Sequence, residues 1–77
     1  MPKLLSARPA SDEVEAYKVH KLANSRHAPG DWIMRAQMIV RSWTGLRTGR
    51  IANELRCHPQ TLRERLTRFN AEGIGLQ

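Results

Sequence analysis

The sequence predicts an all-α chain, a bundle of about four short helices. Three observations carry this. Apolar residues recur at helical spacing in four separate stretches. Helix starts (Asp12, Asp31, Pro59) and a helix stop (Gly45) fall between those stretches. No stretch alternates apolar and polar residues as a strand would, and no internal repeat or low-complexity segment interrupts the pattern.

Residues 1–10 show no periodicity and hold two prolines, which predicts a flexible N-terminal arm. Residues 11–77 then form one domain. Ser11 and Asp12 are good caps for a helix over about 12–23, with Glu13 and Glu15 at its positive end and Lys18, His20 and Lys21 toward its negative end. Its apolar stripe is Val14, Tyr17 and Leu22. Residues 24–30, NSRHAPG, have loop composition. Asp31 is placed to cap a second helix over about 32–43. That helix is apolar on most sides (Trp32, Ile33, Met34, Ala36, Met38, Ile39), which marks it as central. Trp32 and Trp43 therefore belong with the core rather than with stacked bases. Gly45 stops it. A third helix, about 48–55, buries Ile51, Ala52 and Leu55. Arg56, Cys57 and His58 make a tight turn, and Pro59 suits the first position of a fourth helix reaching about residue 71. Leu62, Leu66 and Phe69 sit at i, i+4 and i+7 along it.

Seventy-seven residues bury too little surface for a deep catalytic cleft, so no enzyme and no cofactor or small-molecule substrate is expected. The lone Cys57 allows no internal disulfide, which fits a reducing compartment, and it suits the turn as a small hydrophobe. No pair of Cys or His residues has metal-ligand spacing. Asp12, Glu13 and Glu15 read as helix-dipole partners rather than a catalytic cluster. No apolar run could span a bilayer, and the first residues lack the apolar core of a signal peptide, so the expectation is a cytoplasmic, nucleoid-associated protein.

The net charge of +6 is the compositional outlier. A small chain this basic seeks polyanions. Ten of its thirteen positive residues are Arg, the side chain suited to bidentate phosphate and guanine contacts. A membrane surface is the weaker candidate, because no basic helix carries a broad aromatic face.

Two short helices joined by three residues make a helix-turn-helix, here about 48–71. Ala52 is small enough for a steep crossing, with Ile51 and Leu55 facing Leu62 and Leu66. The wheel then turns Gln60, Arg63, Glu64 and Thr67 outward, as candidate base contacts in a major groove. Arg47, Thr48, Arg50, Thr61, Arg65 and Arg68 are the candidate phosphate contacts. Double-stranded DNA is thus the expected partner, with a homodimer left open. Two plainer alternatives stand: a basic bundle with a solvated arginine face, and an interaction module that meets an acidic partner protein.

The stretch from Ser25 onward also resembles a known family. Ala28-Pro29, Arg35-Ala36, Gly45, Ile51-Ala52 with Leu55, Thr61-Leu62-Arg63, Arg68-Phe69 and Gly73-Ile74 follow, without a gap, the anchor pattern of the N-terminal DNA-binding domain of bacterial Tc1/mariner-type insertion-sequence transposases. The resemblance implies a homeodomain-like fold whose last helix recognises DNA. The sequence departs from that pattern in the turn, where Arg56 and Cys57 replace a Gly and an apolar residue. It also has His58 for the capping Ser and Arg65 for a Trp. The family's metal-binding catalytic domain is not in these 77 residues. The implied role is a stand-alone or truncated transposase-like binding domain, or a small transcription regulator.

Overall fold

Four helices follow one another: α1 (Glu13–Ala23), α2 (Gly30–Trp43), α3 (Thr48–Leu55) and α4 (Pro59–Glu72). The computed structural model describes residues 5–73, and no strand occurs among them. The protein is a small all-α bundle, as its periodicity predicts. Helices α1, α3 and α4 all pack on α2, while no Cα of α1 comes within 8 Å of α3 or α4. One core unites Val19, Ala36, Met38, Ile39, Ile51, Ala52, Leu62, Leu66 and Phe69.

Helix α1 starts where expected. The Asp12 carboxylate accepts the Glu15 N–H at 2.7 Å, satisfying one of the unpaired amides of the first turn. Its inward face is not the expected one. Val19 is fully buried, and Leu22 and Ala23 pack beside it, whereas Val14 and Tyr17 are 59% and 64% exposed. The helix carries two apolar stripes on roughly opposite sides. The stripe of Ala16, Val19 and Ala23 is the smaller and lets α2 approach closely.

Helix α2 begins earlier than expected. Pro29, not Asp31, is the N-cap, and its carbonyl accepts the N–H groups of Trp32 and Ile33 at 3.0 and 3.1 Å. The proline ring fixes φ near its observed −55°, so the helix opens at Gly30 and Asp31 falls inside its first turn. At the other end, Gly45 adopts φ +98°. Its N–H reaches the Ser42 carbonyl at 3.0 Å, and the Leu46 N–H reaches the Arg41 carbonyl at 3.3 Å. This is a Schellman closure, which demands a left-handed residue at that place.

The α3–α4 turn repeats the same closure with a less suitable residue. Arg56 takes φ +54°, the one non-glycine with positive φ among the described residues. Its N–H bonds the Asn53 carbonyl at 3.3 Å, and the Cys57 N–H bonds the Ala52 carbonyl at 3.0 Å. Cys57 lies half-buried against the core. His58 caps α4 with its ring: Nδ1 accepts the Gln60 N–H at 3.0 Å.

Residues 5–10, within the expected arm, are irregular but hydrogen-bonded to the helices. The Ala7 N–H donates to Ser42 Oγ at 2.7 Å. The Arg8 N–H donates to Asn70 Oδ1 at 2.7 Å, and Asn70 Nδ2 donates to the Ser6 carbonyl at 2.8 Å. The Trp43 indole N–H completes the set on the Arg8 carbonyl at 2.7 Å. The strap joins α2 to α4 mainly through backbone groups, which side-chain periodicity cannot register. The rest of the expected arm, residues 1–4, and the chain after Gly73 lie outside the described residues.

Candidate functional site

The orientation of α4 follows from what it buries. Leu62 and Leu66 are fully buried and Phe69 nearly so, against Ile51 and Ala52 of α3 and against α2. The opposite side of the helix must then face out. Gln60, Arg63, Glu64 and Thr67 are all exposed there and line one shallow groove along the helix. The structure thus brings together the four residues expected to touch bases. Gln60 Nε2 lies 3.4 Å from Glu64 Oε1, a weak contact one turn along the helix. Arg63 and Thr67 make no side-chain hydrogen bond among the described residues, so both present unused polar groups.

The six candidate phosphate residues divide. Arg47 is exposed at the N-cap of α3 and forms no ion pair among the described residues. No side chain caps that helix; its first turn, Thr48 to Arg50, therefore offers amide N–H groups at the positive end of the helix dipole. Thr61 is exposed on the first turn of α4. Arg50, Arg65 and Arg68 each already hold a carboxylate.

Arg50 Nε is 2.8 Å from Glu54 Oε2, and Arg41 of α2 reaches the other oxygen at 3.3 Å. The Arg50 hydrogen bond, followed by the charges of Arg50 and Arg41, holds the Glu54 carboxyl below the usual carboxylate range. Arg68 pairs with Glu72 at 3.2 Å. Arg65 stands apart. It is half-buried and points toward α2, where Asp31 takes its Nη2 at 3.4 Å and Arg35 at 3.0 Å. The Arg35 guanidinium lies over the Trp32 ring, 4.9 Å from its centre. Trp32, Arg35 and Arg65 wall a cleft between α2 and α4, and Arg65 braces the two helices there through Asp31.

Sequence reasoning missed the carboxylates that hold these arginines. Two were legible, since Arg50–Glu54 and Arg68–Glu72 are i,i+4 pairs within one helix. Arg41–Glu54 and Asp31–Arg65 join different helices, and only the packing of α2 reveals them.

Among the described residues no group of three or more His, Cys, Asp or Glu side chains could hold a metal ion, and no helix is long and apolar enough to cross a membrane. No protein-family model, no curated protein and no solved structure matches the chain.

Proposed function

We propose that the protein binds double-stranded DNA through α3 and α4 used as a helix-turn-helix. In this reading α4 lies in the major groove, with Gln60 and Arg63 in its first half reaching base edges and Glu64 and Thr67 beside them. Arg47 and the uncapped start of α3 hold the sugar–phosphate backbone. The observation that carries the reading is the outer face of α4. Gln60, Arg63, Glu64 and Thr67 stand exposed along one groove, directly behind a core that fixes the helix. A chain of net charge +6 supplies the long-range attraction.

The biological role that fits is DNA recognition without catalysis. It is that of a stand-alone or truncated transposase-like domain, or of a small bacterial transcription regulator at work on cytoplasmic, nucleoid DNA. The competing reading is a helical module for an acidic protein partner.

The two separate on salt. Fluorescence anisotropy with a labelled duplex is expected to give a linear fall of log affinity with log salt concentration, the mark of counterion release. Failure to bind duplex, together with a one-to-one protein complex that survives high salt, would favour the protein partner.

A further inference from the structure

We propose that the outward face of α1 is a self-association surface, on which α1 of a second copy docks antiparallel. This is independent of the DNA reading. Val14 and Tyr17 are the large hydrophobic residues that remain mostly exposed among the described residues, and they share one face of α1. That face is opposite Val19, the side chain that anchors α1 to α2.

The charges on this stripe select the partner. Glu13 lies one turn before Tyr17, and Lys21 lies one turn after it, at equal four-residue spacing. Neither forms an ion pair among the described residues. The Lys21 ammonium rests 5.7 Å from the centre of the Tyr17 ring. Acid, apolar pair and base therefore follow in order along the helix.

Lys18, exposed beside Val14, and Lys21 outweigh Glu13 here, but a nucleic acid or an acidic surface has richer arginine faces elsewhere on the molecule. A second α1 fits. A two-fold axis through Tyr17 sets Glu13 of each copy against Lys21 of the other, twice, and places the two tyrosines side by side between them. A parallel pairing would instead oppose Glu13 to Glu13 and Lys21 to Lys21. Contacts of this kind are isologous, each patch meeting itself. With two apolar side chains per copy, the interface belongs to the small, transient class.

The test is sedimentation equilibrium of the full chain at low salt, over a concentration range that reaches the millimolar region. Wild type is expected to show a reversible monomer–dimer equilibrium. Glu13→Lys and Lys21→Glu should each weaken it by about tenfold or more, because like charges then meet at both ends. The double variant Glu13→Lys/Lys21→Glu should restore it. Tyr17→Ser should abolish it. All three positions are exposed, and circular dichroism checks that each variant keeps its helices. A wild type that stays monomeric throughout, a dimer that survives Tyr17→Ser, or a double variant no better than the singles would each overturn the proposal.

Discussion

Arg8 grips Glu15 with both terminal guanidinium nitrogens, at 2.8 and 3.1 Å, and lies over the Phe69 ring at 4.5 Å. With no Cα of α1 within 8 Å of α4, this pair links α1 through the N-terminal strap to the Phe69 face of α4. The end of α4 closes on it: a Cβ at Gly73 would stand 3.1 Å from Glu15 Oε2 and 3.3 Å from Arg8 Nη2.

That tie makes stability depend on pH. The Arg8 hydrogen bond, aided by the Ser11 N–H and the Arg8 charge, lowers the Glu15 carboxyl from 4.5 to about 2, against the opposing cost of burial. A folded value below the unfolded one means that the stabilisation is full above 4.5, fades as pH falls from there, and is lost near 2. Glu15→Gln should cost about 1.5–3 kcal/mol at neutral pH, the range for a hydrogen bond to a charged group. Thermal melts at stepped pH should show the two proteins converging as the solution is acidified. A gap that stays constant would mean that the pair does not support the fold.

The left-handed Arg56 predicts a stabilising substitution. A side chain at φ +54° carries steric strain that glycine lacks. Arg56→Gly should raise stability by roughly 1 kcal/mol in urea unfolding, while Arg56→Ala, equally strained, should not.

The α3–α4 crossing predicts two losses of different kinds. Leu62 is fully buried, so Leu62→Ala should leave a cavity and cost about 2–5 kcal/mol. Ala52 is 3% exposed, so Ala52→Leu should overpack the contact and cost roughly 1–3 kcal/mol. Melting temperatures that ignored both would contradict the crossing.

The carboxylates around the arginines predict a gain of binding. Glu54 holds both Arg41 and Arg50, so Glu54→Gln releases two guanidinium groups toward phosphate. Duplex affinity should rise at every sequence alike, with a steeper salt slope. Arg47→Ala should have the reverse effect and lower the slope by roughly 1. Arg65, held by Asp31 across the α2–α4 cleft, should lower the slope less than Arg47 does and stability more. Equal slopes for Glu54→Gln and wild type would show that Arg41 and Arg50 do not meet phosphate.

How much of this was legible in the sequence depends on which groups carry it. Helices α3 and α4 appear where periodicity and Pro59 place them, because Ile51, Ala52, Leu62 and Leu66 each point to one face. The outward set Gln60, Arg63, Glu64 and Thr67 follows from the same wheel. The facing of α1 was misread, because Val14 and Tyr17 compete with Val19 and only contact with α2 decides between them. Capping at Asp31 was misread, because Pro29 opens the helix first. The strap at Ala7 and Arg8 was missed, since its bonds run to Ser42, Trp43 and Asn70, distant in sequence.

The central claim is that the outer face of α4 reads base pairs, and site selection from random duplex DNA tests it most directly. Wild type and Arg63→Ala, an exposed change away from the buried core, are selected side by side. The account predicts a defined preference for wild type. It predicts that Arg63→Ala relaxes that preference at one or two base pairs, at about 1–3 kcal/mol for the preferred site and much less for unrelated duplex. Gln60→Ala should act at a neighbouring position. Identical preference profiles for wild type and Arg63→Ala would contradict the claim.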